Sequence, residues 1–341
     1  MKKIISLLLA AAMMIMVAGC GGGSQPKSSG SGSGSGSGAK QITMGFSQIG
    51  AESEWRTANT ESVKQAAKDA GVNLIFSDAQ QKQENQIKAI RSFIAQGVDI
   101  IAFVPIVETG WDTVLKEAKD AKIPVIVVDR DVKLADDSLY VAKIGTDSVA
   151  EGHKVFKWLD EYMTKQNKQP KDGSQYQVAI LEGTVGSSPA LRRQQGFKDE
   201  MAASANAGKY NIIASQTGEF TRQKGQEVME SFLKSYGNKI DVLFAHNDDM
   251  ALGAIQAIEA AGMKPGKDIT IVSIDGVKGI FQAMIDGKSN CTVECNPLQG
   301  PLLMETAKKI LAGQKVDKLV YVEEGVFPSD KAAEVLPSRK Y

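Results

Sequence analysis

Cysteine and histidine are scarce in this chain: 341 residues hold three of one and two of the other. His153 and His246 share no familiar ligand spacing with Cys291 and Cys295, so no metal centre is expected. Cys291 and Cys295 sit four positions apart. In a strand that separation is about 13 Å, whereas a disulfide needs Cα atoms within about 7 Å, so no internal bridge is expected. Excess charge is missing as well. The formal net charge is zero, and removing Lys2 and Lys3 with a leader leaves 38 basic and 40 acidic residues. Nothing there asks for a nucleic-acid partner. Neither Gly-x-Ser-x-Gly nor His-Glu-x-x-His occurs. The first strand carries no Gly-x-Gly-x-x-Gly, and the glycine-rich stretch Glu182 to Ser188 lacks the Gly-Lys-Ser/Thr ending of a P-loop. No catalytic residue and no cofactor is expected.

What is present begins with a targeting segment over residues 1–19. Lys2 and Lys3 precede an apolar run from Ile4 to Val17, broken only by Ser6. The run is short for a membrane span and reads as a leader. It ends in Val17-Ala18-Gly19-Cys20, similar to a bacterial lipobox. That likeness implies cleavage before Cys20 and lipidation of its thiol, against the plainer reading of a secretory leader with a chance cysteine. Residues 20–39 are almost entirely glycine and serine, and read as a flexible tether unable to bury a core. An artificial spacer would have the same composition.

From residue 40 onward the pattern alternates. Short apolar runs at 42–47, 72–77, 99–104, 124–129, 140–145, 177–182, 211–216, 241–246, 269–274, 291–295 and 318–323 read as strands. Amphipathic stretches at 54–70, 82–96, 110–121, 148–165, 190–204, 221–236, 249–261, 277–286 and 299–312 read as helices, most of them stopping at glycine. This order predicts parallel sheets covered by helices. Some eleven strands are many for one sheet, which favours two lobes over a (β/α)8 barrel.

Four strands end on a polar residue able to grip a hydroxyl. Ile123 to Val128 leads into Asp129 and Arg130. Asp241 to His246 leads into Asn247, Ile269 to Ile274 into Asp275, and Ile42 to Phe46 into Ser47. Open parallel sheets bind ligands beyond the carboxyl ends of their strands, so these residues predict a shared polar crevice. Each has a plainer reading: an ion pair at Asp129-Arg130, a helix cap at Asn247, a turn at Asp275-Gly276. Trp55 and Arg56, opening the next helix, could stack on a sugar face and donate to its oxygens, or Trp55 could simply be core.

Over residues 40–335 the chain resembles periplasmic sugar-binding proteins of the ribose/galactose class, the type I solute-binding proteins. The likeness rests on Ile123 to Arg130, Phe244 to Gly253, Gln96 to Ile101 and Ile271 to Gly276. Gly45 to Arg56, Phe76 to Arg91, Val107 to Asp112 and Val293 to Pro297 draw it nearest to the galactofuranose-binding members.

The resemblance implies an α/β fold of two Rossmann-like lobes with parallel sheets, joined by a three-crossover hinge. Residues 40–146 plus 296–325 would form the N-terminal lobe, and 147–295 plus 326–341 the C-terminal lobe. It implies that Ser47, Ser53, Trp55, Arg56, Asp129 and Arg130 line one side of a ligand site. Arg193, Phe220, Asn247, Asp275 and Cys295 would line the other side and the hinge. Arg56 stands where ribose binders carry an aromatic residue, and Cys295 where an amide is usual. Pro189 and Arg192 loosen the correspondence at Arg193. The implied function is capture of a monosaccharide, galactofuranose first, for the permease of an ABC importer. The expected protein is a monomer held outside the cytoplasm by the lipid on Cys20. Ribose or another aldose is the alternative ligand, and presenting sugar to a chemoreceptor or kinase the alternative role.

Overall fold

The structure, a computed structural model, describes residues 41–171 and 173–341. The expected leader, the tether and Cys20 lie outside the described residues. The first elements are β1 (Thr43–Gln48), α1 (Glu54–Ala70), β2 (Asn73–Asp78), α2 (Gln83–Gln96), β3 (Ile100–Phe103), α3 (Asp112–Asp120), β4 (Val125–Asp129) and β5 (Ala142–Gly145). Next come α4 (Ser148–Lys165), β6 (Tyr176–Glu182), α5 (Ser188–Ala203), β7 (Tyr210–Thr217), α6 (Arg222–Tyr236), β8 (Val242–Ala245), α7 (Asp248–Ala260), β9 (Thr270–Asp275), α8 (Lys278–Ile285) and β10 (Cys291–Glu294). The chain closes with α9 (Gly300–Leu311), β11 (Leu319–Tyr321), β12 (Val326–Pro328) and α10 (Ala332–Val335).

These strands form two six-stranded sheets, ordered β11-β5-β4-β3-β1-β2 and β12-β10-β9-β8-β6-β7. Every pairing is parallel except β10 with β12. Five consecutive strands of each sheet share the doubly wound order 2-1-3-4-5, so the same wiring occurs twice in one chain. In such sheets the crevice opens outside the carboxyl ends, where strand order reverses. The chain changes sheet after β5, after β10 and after β11.

Local chemistry explains the element ends. Ser53 caps α1 by accepting Arg56 N, Asp147 caps α4, Thr221 caps α6 and Asn247 caps α7. Central strands such as β3, β4 and β8 are buried throughout, as sheets covered on both faces require. The first sheet buries one apolar cluster on each face: one around Met44, Phe46 and Leu303, the other around Phe103, Trp111 and Leu115. The second sheet is wrapped by a single larger cluster that includes Phe156, Phe197, Phe244 and Phe281.

Two glycines let α4 and α5 touch. A Cβ on Gly152 would stand 2.3 Å from the Arg193 carbonyl oxygen, and one on Gly196 would stand 2.1 Å from that of Val149. This close approach fixes the α5 backbone at Arg193.

Candidate functional site

A crevice lies between the two sheets, lined by Glu52, Ser53, Trp55, Arg56, Asp129, Arg130, Pro189, Arg193, Phe220, Asn247, Asp275 and Cys295. With the walls together the side chains nearly fill it, leaving a cavity of about 20 Å³, little more than the room one water needs. Ten of the eleven residues expected at a ligand site line it.

Ser47 is the exception and a correction. β1 runs on to Gln48, so Ser47 lies inside the strand rather than at its mouth. Its hydroxyl is buried without a hydrogen-bond partner. Glu52 and Pro189 join the lining in its place. Glu52 was legible as part of the polar run before α1, but nothing in its spacing set it apart from a surface glutamate.

The wall contributed by the first sheet is a charge network. Arg56 Nη2 donates to Asp129 Oδ2 at 2.6 Å, and Arg56 Nε to Glu52 Oε1 at 3.1 Å. Arg130 Nη1 donates to the Ile106 carbonyl at 3.0 Å and its Nη2 reaches Glu52 at 3.5 Å. Asp129 therefore pairs with Arg56, and Arg130 turns away from it. Burial disfavours the Arg56 charge, but Asp129 and Glu52 more than offset it and raise its pKa. Arg130 is pushed down to about 10, by burial first and then by neighbouring Arg56, which still leaves it charged at neutral pH. Glu52 Oε2 and Arg130 Nε are buried and have no partner. An unmet acceptor and an unmet donor in one wall are costly unless a polar ligand satisfies them.

The opposite wall is built on Arg193. Its Nε donates to Glu151 Oε2 and its Nη1 to the His246 carbonyl, both at 2.6 Å. Its Nη2 stands 3.8 Å from Asp275 Oδ1. Burial pushes the Asp275 carboxyl well up; Arg193 pulls the other way and loses. Asn247 caps α7 through Met250 N, holds the Phe220 carbonyl with its amide, and lines the crevice. The Phe220 ring lies between guanidinium groups of both walls, 5.3 Å from Arg130 and 5.8 Å from Arg193.

Three of these residues hold backbone conformations that side chains rarely adopt: Asp129 at φ 63°, Phe220 at φ 62° and Asp275 at φ 135°. Such strain costs on the order of 1–3 kcal/mol each and gathers where function demands a direction. Here it aims two carboxylates and a ring into one space.

Trp55 sits between the walls. Its helix belongs to the first sheet, yet its ring packs into the apolar cluster of the second. Its Nε1 donates to the Cys295 carbonyl at 2.5 Å, and the Arg56 guanidinium covers one face at 4.5 Å. Further contacts cross the mouth: Glu54 N to Asp249 Oδ2 at 2.8 Å, Arg222 Nη2 to Glu54 Oε1 at 2.8 Å, and Asp131 N to Ser188 Oγ at 2.7 Å. The walls are therefore held in a closed arrangement. Cys291 and Cys295 are both buried, free thiols.

The Periplasmic binding protein domain family matches residues 44–315. The chain is 47% identical over 305 residues to the galactofuranose-binding protein YtfQ of Escherichia coli, covering 89% of this chain and 92% of that one. A Mycobacterium smegmatis structure in complex with β-D-fucofuranose is 51% identical, with a TM-score of 0.83 over 88% of this chain and 95% of that chain. The arabinose ABC transporter binding protein of Shewanella sp. ANA-3, bound to α- and β-L-arabinofuranose, is 50% identical, with a TM-score of 0.81 over 88% and 96%. With its twice-repeated doubly wound sheet and its closed polar crevice, the chain belongs to the periplasmic binding protein family.

Proposed function

We propose that this protein captures a monosaccharide in its furanose form, galactofuranose first, and delivers it to the permease of an ABC importer. The observation that carries this reading is the crevice itself. It is walled by three arginines and by carboxyl groups from both sheets, with Glu52 Oε2 and Arg130 Nε unmet. A sugar presents hydroxyls that donate to carboxylates and accept from guanidinium groups, and C–H faces that rest on aromatic rings. Asp129, Glu52 and Asp275 would accept; Arg56, Arg130, Arg193 and Asn247 would donate; Phe220 and Trp55 would cover apolar faces. Ser53 and Cys295 would complete the wall and the hinge.

The furanose preference draws support from the relatives, whose names and bound sugars are galactofuranose, fucofuranose and arabinofuranose. A ligand gripped from both walls stabilises the closed arrangement over the open one, and a permease can read that difference. The leader and Cys20 support a protein tethered by lipid on the outer side of the membrane, and it would act there as a monomer.

A thermal-shift screen against pentoses and hexoses tests the reading, because a ligand bound only by the native state raises the melting temperature. Galactose and arabinose, which supply furanose rings in solution, are expected to raise it in a saturable way. No shift with any sugar would rule the proposal out.

A further inference from the structure

Behind the crevice wall, two carboxyl groups meet where the chain last changes sheet. Glu151 lies on α4 and is fully buried; Glu324 lies between β11 and β12 and is half-buried. Glu151 spends Oε2 on Arg193 Nε. Its Oε1 is buried with no donor in reach, and so is Glu324 Oε1. One carboxyl oxygen of Glu151, one of Glu324 and the Cys295 Sγ all fall within 4.8 Å of one another. Two ionised carboxylates this close and out of water repel, and each leaves an acceptor unsatisfied. One proton resolves both problems: a neutral Glu324 donates to Glu151 Oε1 and leaves Glu151 charged for Arg193.

The surroundings favour that arrangement. Burial first, and then the Glu151 charge, push Glu324 up to about 10. Opposing them are Lys154 of α4, which donates to the Glu324 carbonyl at 3.1 Å, and Arg193 of α5, already engaged by Glu151. Cys295, after β10, adds no charge while burial holds its thiol pKa up. A solvent cavity lined by Asp147, Lys154, Tyr321 and Glu323 reaches Glu324, so the proton can exchange.

We propose that Glu151 and Glu324 share one proton, and that this pair positions Arg193 for ligand, so that capture weakens in alkali. The inference rests on the reading of Arg193 as a ligand residue. Removing the proton places two like charges face to face. Glu151 then swings from Glu324, and the Arg193 guanidinium loses its orientation. Glu324 and Glu151 are positioning residues; the sugar touches neither.

The test compares wild type with Glu324→Gln, whose amide donates to Glu151 at every pH. Two quantities are measured from pH 5 to pH 10: the melting temperature without sugar, and galactose affinity by calorimetry. A carboxyl held protonated in the folded chain but ionised above about pH 4.5 in the unfolded one makes stability fall as pH rises towards 10. Wild type should show that fall more steeply than Glu324→Gln; Asp248 and Asp275, also held up by burial, contribute equally to both proteins. Between pH 8 and pH 10 affinity should drop about twofold more in wild type than in Glu324→Gln, because Glu324 and Arg130 both become half ionised near pH 10 and the substitution removes only the first. Parallel profiles for the two proteins would overturn the shared proton. So would a change in either quantity on adding a chelator, since a bound cation would then bridge the pair. Should no sugar bind, the proposed function fails, and the sugar-free melting profiles still decide the proton.

Discussion

Arg56 Nη2 stands 2.6 Å from Asp129 Oδ2, and both side chains are withdrawn from solvent. The contact joins the first turn of α1 to the end of β4 and presents one carboxylate and one guanidinium to the crevice as a unit. Truncating one partner of a buried, hydrogen-bonded charge pair costs about 2–5 kcal/mol. Asp129→Ala and Arg56→Ala are each expected to lower sugar affinity at least about thirtyfold by calorimetry. Arg130→Ala should do the same, because Arg130 Nε is the unmet donor of that wall. The fold should survive all three changes, since both sheets keep their apolar clusters. Affinity unchanged in all three would remove this wall from the site.

Phe220 depends on a glycine. A Cβ on Gly183 would lie 1.9 Å from the Phe220 ring, so Gly183→Ala must displace the ring towards Arg130 and Arg193. Overpacking of this kind costs about 1–3 kcal/mol. Sugar affinity is expected to fall with only a small change in melting temperature. A variant with full affinity would show that Phe220 does not form the sugar-facing wall.

Much of this was legible in the sequence, and the reasons are physical. Apolar runs ending in polar residues are what a buried parallel strand with a ligand at its mouth looks like. Asp129, Arg130, Asn247 and Asp275 therefore announced the crevice, and α1 and α4 begin and end where their capping and charge patterns place them. β12 went unseen because Val326-Phe327-Pro328 is three residues long and ends in proline. It owes its strand conformation to antiparallel pairing with β10. Ser47 was misplaced because a one-residue shift in the strand end moves a side chain from the mouth into the core. Glu151 left no signal: a glutamate in the first turn of a helix usually faces water and favours the helix dipole. Only the close packing of α4 on α5 turns it inward to Arg193.

The mouth is held by exposed charges. Arg222 donates to Glu54 on one wall and Asp249 on the other, with Arg222 and Glu54 40% and 46% exposed. Exposed pairs contribute about 0.2–1 kcal/mol and are screened by salt. Arg222→Ala is expected to weaken sugar binding by about two- to fivefold at low salt, with the difference vanishing in high salt. The measurement is affinity against ionic strength. An effect that persists in high salt would mean that Arg222 acts by something other than charge.

His246 makes the fold sensitive to acid. Its ring is buried, with Nδ1 accepting from Gly183 N at 3.4 Å and Nε2 facing Gln194 Oε1 at 3.3 Å. Burial first, then Arg193 and Lys198, hold its pKa well below the usual histidine value. The folded chain refuses a proton that the unfolded chain takes up below about pH 6.5. The His246 contribution to stability is therefore full above that pH and lost as pH falls through it. From pH 7 to pH 5 the melting temperature of His246→Gln should therefore rise relative to that of wild type, while Glu324, Asp248 and Asp275, held up by burial, affect both proteins alike. An equal slope in both proteins would show that His246 titrates normally.

The central claim is that the crevice selects a furanose ring, and the carbon NMR spectrum of protein-bound galactose labelled at its anomeric position reads that directly. The bound resonance is expected at the furanose position, although the pyranose dominates free in solution. A bound pyranose resonance, or no bound sugar at saturating protein, would contradict it.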